Sequence, residues 1–183
     1  MHTLAIPVAA MTRMSAMGDE YDLLLQGTVF LDIVLTGLEG PPARGTEVLA
    51  EGMGSCPGGI ANLAIAASRL GLHTSLAAAF GDDVYADFCW TTLEEQEGVD
   101  LSHSQRFAGW HSPVTVSMVI NRDRAMVTHA HPAPTSPTEM MGTLPNAKVG
   151  FVHLDTEPQP WVHEAADTGM LLFAYIGWDP VDE

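Results

Sequence analysis

Basic residues are scarce in this chain of 183 residues. Lys and Arg number 7 against 23 Asp and Glu, so the formal net charge is −16 at pH 7. A chain this acidic repels the phosphates of nucleic acids and the surfaces of anionic membranes. We therefore expect no nucleic-acid partner. Any phosphate-bearing ligand must be held by local groups such as helix N-termini.

Cysteine is also scarce, and no long apolar run is present. The two cysteines, Cys56 and Cys89, are too few for a disulfide framework, which favours a reducing cytoplasm. No apolar run reaches the roughly 18 residues of a membrane span, so we expect no membrane partner. Leu4–Ala10 is apolar, but it is short and no Lys or Arg precedes it, unlike a secretory signal. We predict that residues 1–20 are a disordered leader and that residues 21–183 form one domain.

The most informative segment is Cys56–Gly71, CPGGIANLAIAASRLG. Gly58 and Gly59 let the backbone turn freely or be approached closely. The apolar positions that follow recur at helical spacing: Leu63, Ala64, Ala67 and Leu70. This spacing predicts a helix over 60–70 that buries those four side chains, with Asn62 in its first turn. On its own, the segment is equally typical of a Gly-Gly turn before a core helix.

Strand and helix signals alternate along the rest of the chain. Buried strands are predicted near 23–26, 74–80, 148–154 and 170–176, and helices over 60–70 and 84–96. This alternation is typical of a parallel sheet with crossover helices. Further strands are predicted at Leu31–Leu35, Val48–Ala50, Val114–Ile120 and Ala125–Ala130, the last two as a hairpin.

Two helix starts are marked by capping residues. Asp82 or Asp83 can cap the helix that begins at Val84. Ser136 to Glu139 predict a helix start: Ser136 as the cap, Pro137 at the first helical position and Glu139 as the capping-box residue. These residues therefore have structural roles that do not require a ligand.

Three elements in this order resemble the ribokinase-like (phosphofructokinase-B) sugar kinases. Gly58-Gly59, then Asn62 and an Ala-rich helix ending in Arg-Leu-Gly, resemble the first signature of that family. Gly81-Asp82-Asp83 is similar to the next recurring element. Gly27–Asp32 resembles the first strand and the substrate-binding Asp that follows it. The resemblance covers roughly residues 21–180.

The sequence departs from the family at two points. Two residues separate Gly59 from Asn62, where the family usually has three. Phe30 stands where many members carry a polar residue. Both departures fall in the segments that would contact the sugar.

The resemblance implies an α/β fold of a particular kind. It would be a doubly wound (Rossmann-like) parallel sheet with helices on both faces and a small β-sheet lid, with the C-terminal part of the fold missing. The lid would be formed by segments near 31–50 and 112–130. A homodimer through the lid is a further expectation.

The resemblance also implies a set of sugar-binding residues. Asp32 would accept hydrogen bonds from two sugar hydroxyls, although it is otherwise an ordinary solvated strand residue. Gly58 and Gly59 would let the backbone lie against the sugar, and Asn62 would offer a donor and an acceptor. Glu157 would supply an acidic contact, and neighbouring Asp155 remains an alternative for that role. Tyr175 and Asp179 match the family only loosely.

The implied activity is transfer of the ATP γ-phosphate to a carbohydrate hydroxyl, with ATP and Mg²⁺ as cofactors and a small-molecule sugar as partner. The family's catalytic base is an Asp in a Gly-Ala-Gly-Asp-type segment, and neither that segment nor a G-x-x-x-x-G-K-[ST] loop occurs here. We expect the base and the nucleotide site beyond Glu183. The chain as written should therefore be inactive. Its apolar strand near Met170–Ile176 should expose an edge that favours association.

Three other interpretations stay open. The chain is alternatively a non-catalytic sugar- or nucleoside-binding domain, or a fragment without a stable fold. A zinc site is the third, because His129 and His131 share one face of a strand and His153 and His163 lie downstream. Such a site needs three or four converging ligands.

Overall fold

The computed structural model of the protein describes residues 21–154 and 159–176. The main sheet is formed by β1 (Tyr21–Gln26), β4 (Thr74–Ala77), β9 (Ala147–Leu154) and β10 (Leu171–Ile176). Its strands are all parallel and lie in the order β10-β9-β1-β4. The apolar runs of the sequence predict all four, because strands of a parallel sheet are buried on both faces.

Helices cover both faces of this sheet. They are α1 (Ala61–Arg69), α2 (Val84–Thr91), α3 (Pro137–Met141) and α4 (Pro160–Thr168). Residues of α1 and α2 pack in one core cluster with Leu25 and Leu76, and residues of α3 and α4 pack in another with Leu24. A π-helical turn, Thr92–Gln96, extends α2 to the predicted end. The predicted doubly wound architecture is confirmed.

The buried face of α1 differs from the prediction. Its buried residues are Ala61, Ala64 and Ala67, while Leu63 is 41% exposed and Leu70 is 82% exposed. Alanines three residues apart let the helix axis lie close to the sheet, and the larger leucines are displaced from that contact. Leu63 is consequently available to line a groove beside the helix.

The strand predicted over 74–80 is interrupted at Ala78. Its backbone N–H donates to Ser104 Oγ, and its carbonyl accepts from the Gln105 N–H. The chain then continues as β5 (Ala79–Phe80), which pairs with β6 (Gln105–Arg106) in a separate two-stranded sheet. At Ala78, the Ser104 hydroxyl therefore takes the place of a neighbouring strand as the hydrogen-bond partner of the backbone N–H.

A second four-stranded sheet stands apart from the main one, and we call it the lid. It contains β2 (Val29–Leu38), β3 (Gly52–Gly59), β7 (Val114–Ile120) and β8 (Asp123–His129) in the order β3-β2-β7-β8. β7 and β8 form the predicted hairpin. Asn121 and Arg122 at its turn have φ values of 49° and 71°, as tight hairpin turns require.

One lid strand was missed by the sequence analysis. The predicted strand at Val48–Ala50 is wrong, and β3 lies instead at Gly52–Gly59, including the two glycines expected to form a turn. Four glycines and a proline disfavour a strand by propensity, but pairing with β2 over eight residues overrides that preference. Pro57 is tolerated because β3 is an edge strand.

Asp83 joins the start of α2 to the segment that enters β7. Its side chain accepts hydrogen bonds from the Ala86 N–H at 2.8 Å and from the Ser112 N–H at 2.8 Å. Burial raises the pKa of this carboxyl, but the backbone hydrogen bonds outweigh burial and the pKa lies below its ordinary value. The predicted capping box at Ser136 and Glu139 is also present at α3.

We predict that Asp83→Ala lowers the free energy of unfolding at pH 7 by about 1 kcal/mol, the usual worth of a cap. A carboxyl whose pKa is depressed by folding adds stability above its unfolded pKa of about 3.9, and this is lost as pH falls through the folded pKa. The difference between wild type and variant should therefore shrink below about pH 4. Urea unfolding at pH 7 and pH 3 measures this difference. Asp82→Ala is the control, because Asp82 accepts one exposed hydrogen bond from the Gly109 N–H. A pH-independent difference would contradict the assignment.

Candidate functional site

A cleft of about 440 Å³ lies where the lid meets the main sheet. It is bounded by the end of β3, the start of α1 and the carboxyl-terminal halves of β9 and β10. Ligands of open α/β sheets collect at this end of the strands. The lining residues carry no formal charge: Thr28, Phe30, Gly59, Ile60, Asn62, Leu63, Phe151 and Tyr175.

Gly59 shapes the cleft because no other residue fits there. Its φ is +64°, a conformation that side chains disfavour. A Cβ at this position would also overlap the Thr28 carbonyl oxygen and lie 2.8 Å from a carbon of the Phe30 ring. The next residue, Ile60, donates its N–H to that same Thr28 carbonyl at 3.1 Å. The chain thus returns from the lid at the point where it entered.

Asn62 lies in the first turn of α1, with its side chain exposed. No side chain caps this helix, whose N-cap position is Ile60. Among residues 21–154 and 159–176, no group forms a hydrogen bond with the side-chain amide of Asn62. An amide group with a donor and an acceptor therefore faces the cleft beside uncapped backbone N–H groups.

Asp32 lies on β2, one step beyond Phe30 on the same face of the strand. Its carboxylate packs directly on Gly58, where a Cβ would overlap it. No hydrogen bond reaches this carboxylate from any residue that the structure describes. Burial raises the pKa of Asp32, and the positive charge of Arg124 offsets this in part. The result is a half-buried carboxylate with unused acceptor capacity.

The structure brings together most of the residues that the resemblance implies. Gly59 and Asn62 line the cleft, while Asp32 and Gly58 contact each other on β2 and β3, the strands that carry Phe30 and Gly59. Asp32 does not itself line the cleft. Glu157, together with Asp155 and Asp179, lies outside the described residues.

Four lining residues were not predicted from the sequence: Thr28, Ile60, Leu63 and Phe151. Thr28 lies in the two-residue link between β1 and β2, Leu63 was assigned to the helix core, and Phe151 was taken as an ordinary strand residue. The only sequence signal for Phe151 is that successive side chains of β9 point to opposite faces of the sheet, which places Phe151 on the side that α1 covers. Tyr175, a loose match, reaches the cleft from β10.

The histidines form a second cluster on the surface. The rings of His129 and His131 have centroids 4.7 Å apart, and His111 lies 6.2 Å from His129. Within the part of the chain that the structure describes, no three His, Cys, Asp or Glu side chains are arranged to hold a metal ion. Likewise, none of the helices in that part combines the length and apolar composition of a membrane span.

Comparison with solved structures identifies the fold. The chain is similar to a PfkB protein from Polaromonas sp. JS666 (17% identity, TM-score 0.67, 88% of this chain and 57% of that one). It is also similar to fructokinase with bound ATP from Xylella fastidiosa (18%, 0.67, 88% and 53%). A third is Arabidopsis thaliana ribokinase complexed with ribose and ATP (16%, 0.66, 84% and 53%).

The similarity is confined to structure. No protein-family model matches the sequence, and no curated protein matches it. The chain spans just over half the length of the three solved structures. The parallel sheet with helices on both faces, the separate lid and the structural matches agree. The chain has the ribokinase-like carbohydrate kinase fold.

Proposed function

We propose that this chain is the sugar-binding part of an ATP-dependent carbohydrate kinase. The observation that carries the proposal is the half-buried Asp32 carboxylate, which lies on Gly58 without a hydrogen-bond donor of its own. A sugar hydroxyl is a donor that such a carboxylate lacks, and it needs no charge on the ligand. Two free cysteines fit the reducing cytoplasm that we propose as the compartment.

The neighbouring residues supply the remaining contacts in this proposal. Asn62 donates to one hydroxyl oxygen and accepts from another, and Gly59 lets the ligand lie against the backbone. Phe30 lines the cleft and precedes Asp32 by two residues on the same face of β2. In this proposal its ring packs on the C–H face of the sugar while the hydroxyl edge reaches the carboxylate. Phe30 and the shorter spacing between Gly59 and Asn62 are the two departures from the family pattern. In this proposal both change how the sugar is held.

ATP and Mg²⁺ do not fit the described residues. None of the cleft residues is basic, and no triad of metal-ligating side chains is present in residues 21–154 and 159–176. The start of α1 after Gly58 and Gly59 offers backbone N–H groups, but a triphosphate also needs positive side chains and a metal ion. We assign no phosphoryl-transfer step to these residues, and in this proposal the nucleotide site lies outside them.

A binding domain without catalysis is the second candidate. Three aromatic rings, from Phe30, Phe151 and Tyr175, line the cleft. Such rings also stack on a planar base, which a nucleoside offers in addition to its sugar. A ligand panel of ribose, fructose, glucose and adenosine therefore separates a sugar site from a nucleoside site.

We predict that Asp32→Asn weakens sugar binding by about 1.5–3 kcal/mol, the worth of hydrogen bonds to a charged acceptor. Isothermal titration of the panel against wild type and variant measures this loss. Asp123→Asn, at the exposed start of β8, is the matched control and should leave affinity unchanged. Equal affinities for wild type and Asp32→Asn would remove Asp32 from the site.

The same variant has a second expected effect that distinguishes ligand loss from misfolding. Folding raises the pKa of Asp32, so the folded state binds this proton more tightly than the unfolded chain does. The charged carboxylate therefore opposes folding, increasingly as pH rises through the window from the unfolded pKa to the folded one. Asp32→Asn should unfold at higher urea than wild type at pH 7. A less stable variant would contradict this account of the carboxylate.

We predict that purified residues 1–183 release no ADP in a sugar-dependent manner when given ATP, Mg²⁺ and the panel. Among the described residues, the cleft has no basic side chain and no metal-ligating triad to position the phosphates, and without them the barrier stays high. A coupled ADP assay, validated with an active sugar kinase, measures this. Sugar-dependent release that Asp32→Asn abolishes would show that the catalytic base lies among residues assigned here to the scaffold.

A further inference from the structure

Two chain segments join the β7–β8 hairpin of the lid to the main body. The chain enters the hairpin through residues 110–113, the entering segment, and leaves it through residues 130–135, the leaving segment. Because Val114 and His129 are register partners, the two segments lie side by side at the open end of the hairpin. They differ in how firmly they are held.

Hydrogen bonds fix the entering segment to its surroundings. The Ser112 N–H donates to the Asp83 carboxylate at 2.8 Å, and Ser112 Oγ accepts from the Gly81 N–H at 2.9 Å. The Pro113 carbonyl accepts from the Leu31 N–H of β2, also at 2.9 Å. Both Ser112 and Pro113 are buried. The entering segment is therefore a rigid support.

The leaving segment has little of this support. Residues 130–134 are exposed, and two of them are prolines, which have no N–H to donate. Among residues 21–154 and 159–176, one hydrogen bond reaches this stretch, from Trp110 Nε1 to the Pro132 carbonyl at 3.1 Å. Imidazole rings supply the remaining contacts: the His129 ring lies 4.7 Å from that of His131 and 6.2 Å from that of His111, both in edge-on arrangements.

The groups around these rings carry negative charge on one side and no charge on the other. On the entering side, His111 Nδ1 lies 3.9 Å from Asp83 Oδ2, and Asp82 belongs to the same turn. Burial raises the pKa of Asp83, but its backbone hydrogen bonds outweigh burial and hold the pKa below its ordinary value. The Asp83 carboxylate therefore stays charged above pH 5. The lid strands beside β8 contribute Val114 and Leu31, which are uncharged.

We propose that His111, His129 and His131 form a pH-sensitive latch that holds the leaving segment on the entering segment. Imidazoles gain their charge between about pH 5 and 8. Neutral rings pack edge to face, whereas charged rings with centroids 4.7 Å apart repel each other. Because His129 lies between the other two rings, the three do not take up protons independently. Lowering the pH through this range therefore releases the leaving segment.

The entering segment stays in place when the latch opens. A protonated His111 gains an attraction to Asp83, which strengthens the side that is already fixed. In the part of the chain that the structure describes, neither His129 nor His131 has a carboxylate within ion-pair distance. Their charges are uncompensated, so the leaving segment is the one that moves.

Release of the leaving segment loosens the lid. The chain passes between the lid and the main body at four places: 26–29, 59–61, 110–113 and 130–135. Opening the latch frees one of them. β7 pairs with β2, which carries Phe30 of the cleft wall, so a looser hairpin also loosens that wall. The latch acts on the lid itself and does not depend on which ligand the cleft binds.

Backbone ¹⁵N relaxation of the 183-residue chain tests the latch. We expect order parameters of about 0.85 for the Ala130 and Ala133 amides at pH 7.5 and below about 0.6 at pH 5.5, the usual values for rigid and flexible backbone. The amides of Leu24 and Leu25, both buried in β1, should stay rigid at both pH values, which distinguishes local release from unfolding. Equal order parameters for Ala130 and Ala133 at the two pH values overturn the proposal.

Substitutions assign the pH response to these rings. His129→Phe/His131→Phe keeps two rings that cannot be charged, and it should keep Ala130 and Ala133 rigid at both pH values. His129→Lys/His131→Lys is charged at both pH values and should leave them flexible at both. His163→Gln is the matched control, because His163 is exposed on α4, and it should keep the wild-type response. A response that survives in the Phe variant, or that His163→Gln abolishes, overturns the proposal.

Salt separates charge repulsion from other effects of pH. At pH 5.5, raising NaCl from about 20 to about 500 mM shortens the range of repulsion between the charged rings. The order parameters of Ala130 and Ala133 should therefore rise toward their values at pH 7.5. The same addition at pH 7.5 should change neither, because the rings are then neutral. Order parameters at pH 5.5 that do not respond to salt would contradict repulsion as the cause.

Discussion

The return of the chain at Gly59 is the constraint on which the rest of this structure depends. The backbone leaves the main sheet through Thr28, builds two lid strands and comes back against the same residue, where Ile60 donates its N–H to the Thr28 carbonyl. Only glycine allows this approach, because a Cβ would overlap that carbonyl. The turn fixes the lid relative to the main sheet, starts α1 and forms one wall of the cleft. A change here would alter all three together.

A second consequence of this return is the position of Asp32. The strand pairing that brings Gly59 to Thr28 also brings Gly58 beneath the Asp32 carboxylate. Burial there raises the pKa of the carboxyl, so the charged form opposes folding. Asp32 is one of 23 acidic residues, and at a fully exposed position its charge would not carry this cost. Such a local cost is typical of a group retained for binding a ligand.

The sequence predicted the main sheet well because a buried parallel strand has a strong signal, a short apolar run between turn residues. Capping residues such as Asp83 and Ser136 were equally readable, since their effect is local. β3 was missed because its glycines and Pro57 disfavour a strand, and only its pairing with β2 makes it one. The buried face of α1 was misjudged for a similar reason: hydrophobic spacing marks a face, but how close the sheet lies decides between Ala61 and Leu63. The part of the cleft wall that β9 and β10 form could not be predicted, because it depends on the order of the strands in the sheet. No local sequence pattern contains that order.

The central claim is that the return at Gly59 forms a sugar site at the boundary between lid and sheet. Two-dimensional NMR of the ¹⁵N-labelled chain, titrated with the tightest-binding sugar of the panel, tests it most directly. The account predicts that the largest amide shifts fall on Thr28, Phe30, Asp32, Gly58, Gly59 and Asn62, with β8 and α4 unaffected. Shifts concentrated away from these residues, or no saturable shifts with any sugar, would contradict it.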